Sequence, residues 1–278
     1  MGYGDDIMIT GYAKLLKQKH PNYQIVAGNK KRGFVVDSVI FNNNPNISRV
    51  SELKNIQTIW IDSYSGHRPY FIKETSEKYY WNENHKVPIG ELYFSIEEKD
   101  FAKSIISNAR KWWNDNNNNN KSYKKIVFIE PSRIKTLKSN AYENRSWGSK
   151  KWQSLVNIYK DRYLFIQSVF KDSEALDGVY KFESGFREAC SVLEICDFII
   201  GWEGGFSHAA AAVKKKGLFL YGGWINPKFI GYTTHRNIYV DIEGSPCGMK
   251  NVCKHCNKCN DIMSVEMVSK EFSIMVEK

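Results

Sequence analysis

Apolar residues along the chain recur with two periods. Over residues 7–19 they fall at helical spacing (Ile7, Met8, Tyr12, Leu15, Leu16), and the pattern stops before His20-Pro21. Short apolar runs at 24–27, 38–41 and 58–61 each suit a buried strand. Residues 96–113 predict a helix that opens with Glu97, Glu98 and Asp100, acids at the positive end of its dipole. The stretch that follows, Asn114-Asp115-Asn116-Asn117-Asn118-Asn119-Asn120-Lys121, is polar and low in complexity. With nothing to bury, it predicts a surface linker over 114–122.

Beyond that stretch the alternation sharpens. Strands are expected at 125–129, 163–167, 198–201 and 217–221, with helices at 150–159, 186–196 and 207–213 between them. Strands separated by helices of this length imply parallel βαβ units, whose ligands lie at the carboxyl ends of the strands. The expected architecture is α/β, with two Rossmann-like domains over residues 1–113 and 123–278 facing a cleft. The chain opens on a glycine-rich turn and helix with no strand ahead of them, so the N-terminal domain is expected to be truncated at its first strand. No repeat of 20–50 residues is present.

Composition changes this picture little. Of the 278 residues, 42% are hydrophobic and 25% charged, the profile of a globular chain. Forty Lys and Arg against thirty Asp and Glu give a net charge of +10, which favours anionic partners. The basic residues are dispersed, with only short clusters such as Lys30-Lys31-Arg32 and Lys214-Lys215-Lys216, which argues against a dedicated nucleic-acid face. No apolar run approaches the length of a membrane span, and the first residues lack the pattern of a secretory signal. A cytoplasmic location is the expectation.

The segment most suited to chemistry is Phe198-Ile199-Ile200-Gly201-Trp202-Glu203-Gly204-Gly205-Phe206-Ser207-His208, followed by four alanines. A buried strand runs through a glycine turn into a helix. The glycines allow close backbone approach, and the helix N-terminus presents free N–H groups and partial positive charge to an anion. The bland alternative is a tight turn that packs a helix on a sheet.

In this order of residues the chain resembles glycosyltransferase family 9, the heptosyltransferase-like enzymes of the GT-B fold. Their Asp-x-Gly-x-x-His motif corresponds to Glu203-Gly204-Gly205-Phe206-Ser207-His208, with glutamate in place of aspartate. Gly222-Gly223-Trp224-Ile225-Asn226-Pro227 is similar to the family's second glycine turn, and residues 126–132 to the strand and loop that open its donor domain. Arg145 and Trp147 match a basic residue and tryptophan of that family, and Gly4-Asp5-Asp6 its Gly-Asp turn, with Gly11 where proline is usual.

The resemblance implies an inverting transferase that needs no cofactor for catalysis. It moves sugar from a nucleoside diphosphate donor to a glycan or lipid-linked acceptor. The positive charge fits an anionic acceptor at a membrane surface, approached peripherally. The resemblance also implies a general base at Asp5, with Asp6 as the fallback, and donor contacts from Ser132, Arg145, Trp147 and Glu203 through Gly204, Gly205, Phe206, Ser207 and His208. Residues 232–237 are candidates for the base pocket, and His67, Arg68 and Tyr70 for an anionic acceptor. A helix N-cap is the plain alternative for Asp5.

Four of the six cysteines crowd into residues 247–259: Cys247, Cys253, Cys256 and Cys259, with His255 among them as a substitute ligand. Short thiolate spacing favours a structural zinc. An iron–sulfur cluster and free or disulfide-linked cysteines are the alternatives. Two rival functions remain at this level: a degenerate nucleotide-sugar-binding protein without turnover, and a zinc-containing nucleic-acid-binding protein.

Overall fold

The computed structural model describes residues 2–62, 68–117, 122–131, 143–170 and 173–277. Its first element is helix α1 (Tyr3–Lys19), which starts four residues before the apolar spacing begins at Ile7. Gly2 is its N-cap, and Asp5 and Asp6 occupy the first turn, where acids complement the free N–H groups.

Strands β1 (Gln24–Asn29), β2 (Phe34–Val35) and β3 (Thr58–Ile61) form a sheet of order β2-β1-β3. The β1–β3 pairing is parallel and the β1–β2 pairing antiparallel. The expected strand at 38–41 is absent: Val39–Phe41 form a 3₁₀ turn, with the Ser38 hydroxyl accepting from the Ile40 N–H. A short apolar run does not distinguish strand from turn, and here the capping serine decides the outcome.

Two further strands, β4 (Phe71–Glu74) and β5 (Tyr79–Trp81), make an antiparallel hairpin not foreseen from the pattern. It is pinned to the far end of the chain, where the Tyr79 N–H donates to the Gly248 carbonyl at 2.9 Å. Helix α2 (Ile96–Asn116) carries a capping box between Ser95 and Glu98 and runs into the first asparagines of the expected linker. Residues 118–121 of that linker lie outside the described residues.

The second sheet comprises β6 (Ile126–Glu130), β7 (Leu164–Val169), β8 (Tyr180–Glu183), β9 (Phe198–Trp202), β10 (Lys216–Gly222) and β11 (Arg236–Tyr239). All six are parallel, in the order β11-β10-β9-β6-β7-β8. Alternate residues of β6 enter different cores, as a strand buried on both faces requires: Ile126 and Phe128 on one side, Val127 and Ile129 on the other. Helices α3 (Ser149–Tyr159), α4 (Phe186–Ile195), α5 (Gly205–Ala212), α6 (Pro227–Ile230), α7 (Lys254–Ile262) and α8 (Val265–Val276) follow in chain order.

One core lies between β7, β10 and the helices α3 and α8. The other is continuous from this sheet into the N-terminal half, because α1 packs on α5 and α2 on α4. The α1–α5 contact positions the site.

Candidate functional site

Strand β9 lies between β6 and β10, and at its carboxyl end the chain passes through Glu203 and Gly204 into α5. The N-terminus of α1 faces that of α5 at close range. A Cβ on Gly4 would sit 2.9 Å from Cδ2 of His208 and 3.2 Å from the Gly205 Cα, so only glycine permits this approach. Between the two helix ends is a cavity of about 370 Å³, whose walls include Asp5, Arg68, Tyr70, Arg145, Gly204 and His208.

On the α1 wall the Asp5 carboxylate accepts two charge-assisted hydrogen bonds, from Arg68 Nε and the Tyr70 hydroxyl, each at 2.9 Å. Burial, and after it the neighbouring Asp5 charge, pushes the Tyr70 phenol well above its ordinary pKa, so it stays a donor. Asp6 is directed elsewhere. One of its oxygens accepts from the Ser38 hydroxyl at 2.7 Å and the other is buried without a partner; burial raises its pKa.

On the opposite wall Arg145 Nη1 donates to Glu203 Oε1 at 2.7 Å. The guanidinium also lies over the rings of Trp202 and Trp224, 4.6 and 4.8 Å from their centroids. Burial pushes the Glu203 carboxyl above its usual range, with Arg145 acting against that shift. Behind them His208 Nδ1 lies 2.8 Å from the Tyr232 hydroxyl, and His235 Nε2 lies 3.2 Å from the Ser207 carbonyl.

Asp5, Arg145, Gly204, Gly205 and His208 are therefore brought together around one cavity. Trp147, Phe206 and Ser207 are not. Trp147 is buried against Trp152 and donates to the Met263 carbonyl at 2.6 Å. Phe206 packs on Phe128 and Phe186, and the Ser207 hydroxyl donates to the Gly204 carbonyl. Ser132 and His67 lie outside the described residues. Trp202 was not foreseen as a cavity residue, nor Trp224 as a ring against Arg145. Their places beside the two glycine turns were the available signal.

His208 and His235 are held neutral. Burial lowers their pKa values to about 3 and about 4, with His235 and His85 adding to the effect at His208. A histidine whose folded-state pKa is lowered contributes stability that is complete above its unfolded value near 6.5 and is lost as pH falls toward the folded value. Each ring is expected to cost about 2–3 kcal/mol by pH ~4.5. Urea midpoints should fall between pH 7 and 4.5, and a His208→Gln, His235→Gln double variant should lose most of that slope. An unchanged slope in the double variant would refute the attribution.

Cys247, Cys253, His255 and Cys256 gather at the other end of the Trp224 turn, with ligand atoms all within 4.8 Å of one another, and this group could bind a metal. The expected fourth cysteine, Cys259, is not in that group. It is buried beside the His255 ring, with Sγ 3.7 Å from Nε2 and 3.9 Å from the Ser245 hydroxyl. Among the described residues no helix is long and apolar enough to cross a membrane.

The architecture is that of the GT-B heptosyltransferases, as expected from the sequence. A glycosyl transferase family 9 structure from Veillonella parvula matches 99% of this chain and 95% of its own, with a TM-score of 0.62 at 14% identity. The ADP-heptose lps heptosyltransferase II of E. coli matches 99% and 96%, with a TM-score of 0.56 at 11% identity. TibC, an iron-containing dodecameric glycosyltransferase from enterotoxigenic E. coli, matches 99% and 74%, with a TM-score of 0.59 at 12% identity. At these identities the likeness is one of fold. No protein-family model and no curated protein matches the chain.

Proposed function

We propose that this chain is an inverting glycosyltransferase that moves a sugar from a nucleoside diphosphate donor to a glycan or lipid-linked acceptor, without a catalytic metal. The observation that carries this reading is the shared cavity. The N-termini of α1 and α5 open onto it together, with Asp5 on one wall and Arg145 on the other. Backbone N–H groups at helix ends and a guanidinium are suited to a diphosphate. The fold supports the reading, since one of the proteins that share it is described as a transferase acting with ADP-heptose.

In this reading residues 123–278 hold the donor and residues 1–113 face the acceptor. Gly204, Gly205, His208 and Arg145 bind the diphosphate, and Ser132 is added by the family resemblance alone. The Asp5 carboxylate takes the proton of the acceptor hydroxyl as its oxygen bonds to the anomeric carbon. The bond from that carbon to the phosphate oxygen breaks with its electron pair, and the charge that develops on the leaving diphosphate meets Arg145 and the α5 N-terminus. Arg68 and Tyr70 fix the orientation of Asp5. The net charge of +10 suits an anionic acceptor reached at a membrane surface from the cytoplasmic side.

The test is thermal stabilisation across a panel of nucleoside diphosphates and their sugars. A ligand at about a hundredfold over its Kd adds about 2.7 kcal/mol, which raises Tm by roughly 5 °C or more in a chain of this size. A shift confined to one base supports the donor site and names the base. A well-folded sample that responds to none of them overturns the reading.

A further inference from the structure

We propose that Cys247, Cys253, His255 and Cys256 form a closed zinc site, and that filling it positions Arg145 in the cavity, so that metal loading tunes nucleoside diphosphate binding; the second half rests on the donor reading above. Four ligands at about 2.3 Å from one ion lie roughly 3.8 Å from each other in a tetrahedron. The present separations bracket that value, from 3.0 Å between the Cys247 and Cys256 sulfurs to the 4.8 Å limit of the group. Three thiolates and one imidazole suit zinc, and four protein ligands leave no position open to substrate. The Ser245 hydroxyl lies 3.1 Å from Nε2 of His255, which orients the ring and leaves Nδ1 for ligation. Cys247 and Cys256 are buried, and Cys253 and His255 half-buried, so an ion there would be shielded.

The connection to the cavity runs through one carbonyl. Between the ligands Cys247 and Cys253, the Met249 carbonyl accepts from Asn144 Nδ2 at 2.9 Å and from Trp224 Nε1 at 2.8 Å. Asn144 immediately precedes Arg145, and Trp224 is one of the two rings over its guanidinium. The side chain of Asn144 is fully buried and spends all its remaining bonds on the same segment. Nδ2 also donates to the Asn251 carbonyl at 2.8 Å, and Oδ1 accepts from the N–H of Cys253, itself a ligand, at 2.8 Å. The segment is anchored behind as well, by Cys247 N–H to the Gly223 carbonyl and Gly248 N–H to the Trp224 carbonyl. An ion that ties Cys247 to Cys253 fixes the loop between them, and that loop holds Asn144 and Trp224. Asn144 is thus a positioning residue that acts through Arg145.

Elemental analysis of the purified full chain is expected to give one zinc per chain. One iron per chain overturns the identity of the ion. No metal, with a mass two hydrogen atoms lower from a Cys247–Cys256 disulfide, overturns the site. The second measurement is the Kd of ADP, GDP and UDP by calorimetry, on zinc-loaded, chelator-stripped and zinc-restored protein and on Asn144→Ala. Stripping should weaken binding of whichever diphosphate binds by tenfold or more, and restored zinc should recover it. Asn144→Ala should show the same weakening at unchanged zinc content, a split that general unfolding does not give. Equal Kd in loaded and stripped protein, or in Asn144→Ala and the parent chain, overturns the coupling. Failure of all three diphosphates to bind the loaded protein overturns the donor reading and the coupling with it, while the zinc stoichiometry still decides the site.

Discussion

Replacing Asp5 with asparagine is expected to lower kcat for transfer by about 10²–10⁴-fold, with the Kd of the nucleoside diphosphate changed less than about threefold. The asymmetry follows from position. Asp5 stands on the α1 wall, held by Arg68 and Tyr70, whereas the groups suited to a diphosphate belong to the α5 end and to Arg145. An amide keeps the shape, but its one oxygen cannot accept from Arg68, Tyr70 and the Gly2 N–H together, and it cannot take a proton from an attacking hydroxyl. Its NH₂ must face either Arg68 or Tyr70, so a loss of about 1–3 kcal/mol in stability is also expected. A melt of the variant separates that loss from the chemical one. Asp6→Asn is the control. Its carboxylate is committed to Ser38 and lies outside the cavity lining, so turnover should stay within about threefold. Loss of transfer in Asp6→Asn with activity retained in Asp5→Asn would reverse the assignment.

The parts of the site that could be read in the sequence are those that local chain order encodes. Strand β9, its glycine turn and the alanine-rich helix are contiguous, so hydrophobic run, breaker and helix former agree on one structure. Gly4 and Asp5, matched by resemblance to a turn, lie instead in the first turn of helix α1. Which members of a motif line the cavity was less legible. Phe206 and Ser207 sit between Gly205 and His208 in the chain, yet helical geometry turns them into the core while their neighbours line the cavity. Trp147 follows Arg145 by two residues and enters the opposite core. Contacts made across the fold left no local mark. Arg68 and Tyr70 reach Asp5 from more than sixty residues away, and Asn144 meets Met249 across 105. The cysteine group differs from the spacing argument for a related reason. His255, Cys256 and Cys259 all lie on α7, but Cys259 is four residues past His255 and packed into the core beside Ser245, so His255 rather than Cys259 falls among the other three.

Arg145→Met is expected to be the most damaging single change, because it leaves Glu203 buried without its partner. Removing one member of a buried ion pair costs about 3–5 kcal/mol, a large share of the stability of an ordinary domain. The sign of its pH dependence identifies the cause. Burial already raises the Glu203 pKa, and Arg145 opposes that shift. Without the arginine the folded-state pKa rises further above the unfolded value. A carboxyl raised in this way stabilises the fold while protonated and loses that contribution as pH climbs through the folded pKa. The loss relative to the parent chain should therefore be smaller at pH ~5 than at pH ~8, and taking the difference cancels the slope from His208 and His235. An equal loss at both values would show that packing against Trp202 and Trp224, not the orphaned charge, is responsible. Adding Glu203→Gln to Arg145→Met should recover most of the stability, since the buried charge is gone. Donor binding should stay weak in that double variant, because the guanidinium that faces the diphosphate is still missing. Recovery of stability and binding together would mean that Arg145 serves only to neutralise Glu203.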